Sequence, residues 1–216
     1  MIGVNLFSID KYIQLLLNNS YTCVIIDQVT EPPEPERAVT NIYSPGTNVA
    51  YNSKGETNNL MTIYIDIYKD LYGNNNIIIG MSIIDLSTGK NLIVETYSKS
   101  DDFNKSLDEA FRFIQTHDPK EIVIITSNSE QLSEEYLNNY LELSNRVVHY
   151  KCKDTISKEY FNINYQTQFL NKVFKETGLL SVIEYLDLES KTAAIISYVY
   201  LLDFAYNHNE NIINKI

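Results

Sequence analysis

The chain has 216 residues and a mass of 24.9 kDa, enough for one large domain or two small ones with a real core. Hydrophobic residues make up 44% and charged residues 21%, which excludes a wholly disordered chain, a collagen and a coiled coil. With 17 basic against 28 acidic side chains the net charge is −11, so phosphate is repelled and a stand-alone, non-specific nucleic-acid binder is disfavoured.

Ser8 reads as a helix N-cap, with Ile9, Tyr12, Ile13, Leu15, Leu16 and Leu17 at helical spacing behind it. Asn18-Asn19-Ser20 ends that helix, because asparagine tolerates the left-handed C-terminal position. Tyr21 to Ile26 reads as a buried strand. Glu31-Pro32-Pro33-Glu34-Pro35 excludes helix and central strand, since tandem prolines hold the backbone extended and remove amide donors. Ala38 to Tyr43 is a second strand, closed by a turn at Ser44-Pro45-Gly46. Asn48 to Asn59 is polar and poor in large apolar residues. It divides the chain into a first unit over 1–50, a linker over 51–59, a second unit over 60–206 and a tail or next segment over 207–216.

The second unit opens as a strand meander. Leu60 to Tyr68 alternates and should be half buried, Ile77 to Leu86 follows a turn at Asn74-Asn75-Asn76, and Ser87-Thr88-Gly89 turns into Asn91 to Tyr97. Helix and strand then alternate. Asp101-Asp102 opens a helix with Phe103, Leu107, Ala110, Phe111 and Ile114 on one face, ending before Pro119. Ile122 to Ile125 is all apolar, as in the middle of a covered parallel sheet. A helix over Ser129 to Leu143 and a strand over Val147 to Tyr150 come next. From about Tyr165 the chain reads as helical, with one helix closed by Gly178 and another capped by Ser190. The chain ends without a stop signal, as a cut piece would. This α/β order resembles an RNase H-like mixed sheet flanked by helices, preceded by a small α/β piece.

Several chemistries can be weighed against plainer readings. An RNase H-like nuclease needs carboxylates converging on two metal ions. Asp66, Asp70 and Asp85 are candidates for Mg²⁺ by position, or else one solvent-facing and two turn aspartates. His117, His149 and His208 lie in separate segments, which suits surface or loop histidines better than a zinc site. Cys23 and Cys152 form no CxxC pair, so a disulfide framework is not expected and an intracellular, reducing setting fits. Nucleus, cytoplasm and viral factory are equally compatible. No phosphate-cradling GxxxxGK[ST] loop is present, and Gly73 and Gly80 read as hairpin positions around the asparagine run. No apolar run approaches the roughly 18 residues of a membrane span, and Met1 to Asn5 lacks a basic leader.

Two segments carry a family resemblance. Ser20-Tyr21-Thr22-Cys23-Val24-Ile25-Ile26-Asp27-Gln28-Val29, a proline-rich bend, and Glu36-Arg37-Ala38-Val39-Thr40-Asn41-Ile42-Tyr43-Ser44-Pro45-Gly46-Thr47 together resemble the end of the mismatch-recognition domain of the MutS mismatch-repair family. There a helix leads to a strand ending in Glu-Gln and a strand ending in Thr-Pro-Gly-Thr. Gly80 to Gly89 resembles the Asp-x-Ser-Thr-Gly hairpin early in the connector domain of that family. The family motif residues present are Gln28, Pro45, Gly46, Thr47, Asp85, Ser87, Thr88 and Gly89, all read as structural; Gly46 is expected to supply φ > 0. Asp27 stands where the family has Glu, Ser20 where it has Gly, and Asn41 where it often has Arg. Arg37 matches a family arginine and is the one DNA-backbone candidate.

The resemblance implies the end of a recognition domain plus a connector, without the mismatch-probing Phe-x-Glu or the nucleotide-binding loop. It implies a parent that binds mismatched duplex DNA as a dimer, uses ATP and Mg²⁺, and meets a MutL-like partner. The connector itself would relay between these activities without catalysis or a cofactor. A free-standing adaptor domain is the other non-enzymatic reading. The asparagine and tyrosine bias is that of an AT-rich genome, such as that of a large DNA virus.

Overall fold

A computed structural model describes residues 3–30, 33–47, 58–99, 101–127 and 132–208. The first helix, α1, spans Ile9–Asn18 and follows a 3-10 turn at Leu6–Ser8. Ser8 does not cap it through its side chain; its hydroxyl donates instead to the Asn5 carbonyl. Strands β1 (Cys23–Gln28) and β2 (Arg37–Tyr43) form an antiparallel ribbon separate from the main sheet. The expected left-handed residue is Ser20 itself, at φ 64°, not Asn18 or Asn19. The expected buried first strand is instead mostly exposed, because β1 has a single neighbour and only Cys23 is covered.

The main sheet contains β3 (Asn59–Lys69), β4 (Asn75–Asp85), β5 (Asn91–Tyr97), β6 (Glu121–Thr126) and β7 (Val147–Cys152), in the spatial order β5-β4-β3-β6-β7. The first three pair antiparallel; β6 joins β3 in parallel, and β7 joins β6 in parallel. This is the RNase H-like layout that the meander and the apolar Ile122–Ile125 run imply. Asn59, placed in the linker by composition, already belongs to β3; the rest of that stretch, 48–57, lies outside the described residues.

Helices cover both faces. Odd positions of β3 and β4 (Met61, Ile63, Ile65, Ile77, Ile79, Met81, Ile83) pack with Ile122 and Ile124 against α2 (Lys105–His117) and α3 (Glu134–Tyr140). Even positions (Leu60, Tyr64, Ile84), with Val123 and Ile125, face α4 (Ile163–Val173), α5 (Val182–Tyr185) and α6 (Thr192–His208). That is why β3 is buried on both sides over most of its length and not half buried as its alternation suggested. α2 starts at Lys105, later than Asp101, because Lys99 and Asp102 form a bridge that holds the preceding residues in a turn. α3 is shorter than expected and begins behind Ser133, whose hydroxyl accepts from the Tyr136 amide; 128–131 lie outside the described residues. α4 ends at Val173 because Phe174 turns extended, so Gly178, at φ 65°, sits in the following loop.

α6 is apolar nearly all round, as a buried helix should be. Its close approach to the sheet requires Gly80. A Cβ there would stand 2.1 Å from the Ala193 carbonyl carbon and oxygen. Gly80 is therefore not a hairpin residue; it lies in mid-strand opposite Tyr64 and Glu95, whereas Gly73 does take the turn, at φ 85°. Inside the same contact Ser197 Oγ donates to the Thr62 carbonyl at 2.7 Å and bonds Ser82 Oγ at 2.8 Å, which satisfies the two serine hydroxyls.

The start of α6 is held from the sheet. Glu95 Oε2 accepts the Ala193 and Ala194 amides at 2.7 and 3.0 Å, placing a carboxylate on the positive helix end. Glu95→Ala should cost about 1–2 kcal/mol, read from the urea unfolding midpoint. Retention of wild-type stability would mean the cap contributes nothing.

Candidate functional site

The junction between the ribbon and the sheet is built round one buried acid. Glu121, the first residue of β6, has no solvent exposure. Its Oε2 accepts Ser44 Oγ at 2.6 Å and the Gly46 amide at 2.8 Å. Its Oε1 lies 2.6 Å from His149 Nε2. Burial pushes the Glu121 carboxyl upward, but the bonds from His149, Ser44 and Gly46 outweigh it, and the group titrates below the ordinary glutamate value. Because an ionised carboxylate only accepts, His149 must carry its proton on Nε2. Ser44 and Thr47 close the turn through mutual side-chain and backbone bonds.

Pro45 and Gly46 fit this turn, but not by the expected mechanism. Gly46 does not take the left-handed backbone. Its need is space: a Cβ would stand 2.5 Å from Glu121 Cβ and 2.7 Å from Glu121 Oε2. The serine, glutamate and histidine do not form a nucleophilic triad, since the acid lies between the other two and His149 is not within reach of the serine proton. His149 is thus a junction residue and not a loop histidine. His117 packs on Phe113 at the end of α2, and His208 on Phe204 at the end of α6.

The second motif lies on the neighbouring strand end. Asp85 accepts the Ser87 amide and hydroxyl at 3.0 and 2.5 Å, the Thr88 hydroxyl at 2.7 Å and the Asn58 amide at 3.3 Å. Gly89 follows at φ 76°. Burial raises the Asp85 carboxyl, while these four bonds lower it further, so it titrates below the usual aspartate value. Asp85→Ala should cost about 2 kcal/mol and free the β4–β5 turn, seen as a lower melting temperature with faster exchange of the Gly89 amide. Unchanged exchange would contradict this role.

The three nuclease candidates do not converge. Asp85 faces Asn59 in the ladder while Asp66 lies seven positions further along β3, about 23 Å away at ~3.3 Å per residue. Asp66 accepts from Tyr64 and pairs with Lys153 Nζ, so a lysine ammonium already meets its charge. Asp70 sits in the hairpin and accepts the Tyr72 and Asn74 amides. Among the described residues no group of three or more His, Cys, Asp or Glu could hold a metal ion. Arg37 and Gln28 face each other, exposed, at the end of the ribbon where the chain passes from β1 to β2, and Gln28 Nε2 donates to the Thr30 carbonyl. No described helix is long and apolar enough to cross a membrane.

Glu121, His149, Glu95 and Gly80 were not singled out by sequence for these roles. Gly80 had a usable signal, an isolated glycine within an apolar strand. Glu121 had a weaker one, an acid placed directly before an all-apolar run. His149 had none, since its partner lies 28 residues away.

The fold and the junction define an RNase H-like α/β domain fastened to a small helix-and-ribbon unit. The family model described as MutS domain II matches residues 58–210, and the chain belongs to the MutS family. It is 32% identical over 96% of its length to a putative DNA mismatch repair protein, mutS homolog L359, of Acanthamoeba polyphaga mimivirus. It is 27% identical over 99% of its length to DNA mismatch repair protein MutS of Clostridioides difficile. The chain spans about a fifth of the length of each of these relatives (20% in both cases). Solved structures with some likeness include the fowlpox virus resolvase with Holliday junction DNA (13% identity, TM-score 0.40, 68% of this chain and 97% of that one). Another is Thermus thermophilus RuvC with a Holliday junction substrate (10% identity, TM-score 0.34, 68% of this chain and 94% of that one).

Proposed function

We propose that this chain is the coupling segment of a MutS-like mismatch-repair protein: the end of a mismatch-recognition domain over 1–50, a linker that ends before Asn59, and a connector from β3 through α6, with the residues after His208 a tail or the start of a next segment. The segment joins the binding of mismatched duplex DNA to ATP-driven change of state and docks a MutL-like partner. It performs no chemistry of its own. ATP and Mg²⁺ belong to the parent, which works as a dimer inside the cell, and Arg37 is the one residue here assigned to the DNA backbone.

The observation that carries the reading is the Glu121 junction. A buried acid with three donors holds the ribbon against the sheet, which suits a part that passes movement from one neighbour to the next. The net charge of −11 supports a docking role over a DNA-gripping one. The separated and already partnered aspartates support the absence of metal-dependent cleavage.

The test uses the purified chain. It is expected to hydrolyse no ATP, to bind matched and mismatched duplexes alike, and to leave branched DNA uncut with Mg²⁺ or Mn²⁺. It should bind a MutL-like protein saturably. ATP hydrolysis, mismatch preference or metal-dependent cutting abolished by Asp66→Asn would overturn the reading; absence of binding to the MutL-like protein would remove its docking part.

A further inference from the structure

We propose that Glu121 and His149 form a joint locking the turn after β2 to the end of α6, so that loosening either end loosens the other. The inference rests on the coupling reading and gives it a physical location.

Three contacts meet at this point. Glu121 Oε2 grips the turn after β2 through Ser44 Oγ and the Gly46 amide. Glu121 Oε1 takes the His149 Nε2 proton. The other side of the joint is the His149 ring against Phe204 of α6, with ring centroids 5.9 Å apart. Phe204 in turn packs on His208, the last residue of α6, at 4.3 Å, and its carbonyl lies 2.7 Å from His208 Nδ1. The turn at 44–47 and the end of α6 are far apart in sequence, yet the path between them is one carboxylate and one histidine ring.

The joint has little slack. Gly46 already lies so close to Glu121 that a Cβ would overlap it, so the acid cannot move toward the turn. Glu121, Ser44 and Gly46 are buried, so water does not replace either turn donor if it withdraws. Rotating the carboxylate to follow the turn would break the His149 bond, and moving His149 would disturb the ring of Phe204. The joint therefore has two states, made and broken, and both ends of the domain bias the same one.

Amide hydrogen exchange on the full 216-residue chain tests this. In Glu121→Gln, which keeps the side-chain volume, the Gly46 amide should exchange about tenfold faster, and the Ala205 and Tyr206 amides in the last turns of α6 should accelerate with it. Acceleration at Gly46 alone would reduce Glu121 to a local turn cap and overturn the proposal, as would no change at either end. Phe204→Leu probes the joint from the other side and leaves the buried acid intact. It should accelerate the Gly46 amide about fivefold while the central β3 and β4 amides keep their rates. Wild-type exchange at Gly46 in that variant would overturn the proposal. Neither DNA nor nucleotide enters the measurement. The joint can therefore fail while the coupling reading stands, and ATP hydrolysis by the chain would defeat that reading without altering the exchange result.

Discussion

Gly80→Ala is expected to cost at least ~4 kcal/mol and to lower the melting temperature by roughly 8–16 °C for a chain of this size. The added Cβ would stand 2.1 Å from the carbonyl carbon and oxygen of Ala193 and 2.4 Å from the Ala194 nitrogen. These are backbone atoms, so no rotamer change relieves the overlap. Nor can the helix start lift away freely, because Glu95, directly opposite Gly80 in the ladder, holds the Ala193 and Ala194 amides. Retreat of α6 would also pull Ser197 from Thr62 and Ser82 and open space above Tyr64 and Val123. Thermal unfolding followed by far-UV circular dichroism reads the effect. A loss below about 1 kcal/mol would mean that α6 does not lie this close to the sheet.

Glu121→Ala should cost about 3–5 kcal/mol, because it strands Ser44 Oγ and the Gly46 amide where water does not reach and takes the acceptor from the partly exposed His149. Glu121→Gln fills the space but turns an amide toward donors, and should recover only part of the loss. The effect depends on pH with a definite sign. The folded carboxyl titrates below the ordinary glutamate value of 4.5. Its contribution is therefore complete above that value and disappears as pH falls through the lower, folded one. Urea midpoints measured from pH 7 down to pH 3 should converge for wild type and Glu121→Gln at the acid end. A gap that persists undiminished at pH 3 would show that the ionised carboxylate is not the source of the stability.

Much of the architecture could be read from short-range pattern. Ile122 to Ile125 announced a central parallel strand because burial on both faces removes the need for alternating polar residues. Ser87-Thr88-Gly89 announced its hairpin because Asp85, two residues earlier, finds its partners within the turn. The misreadings share a cause. The alternation of β3 suggested one wet face, but its even side is dried by α6, a helix more than a hundred residues later. β1 looked buried by composition, although a strand with one neighbour keeps most of its surface. The junction was less legible still. Ser44 and Glu121 are 77 residues apart, and nothing in the local pattern of either reports the other. Gly46 was noticed for backbone freedom when its real role is to leave room for an acid arriving from the other unit.

The position of α6 has a consequence for how the chain is made. The β3–β4–β5 meander is synthesised well before Thr192, and the Ser82–Ser197 bond spans 115 residues. Until α6 emerges, Leu60, Tyr64, Ile84, Val123 and Ile125 lack the helix that packs most closely on them and leave an apolar plane on a nascent polypeptide. Closure is therefore a late event, governed by the arrival of one segment and not by strand-by-strand growth. A message truncated ahead of Thr192 would release an aggregation-prone product with that plane uncovered.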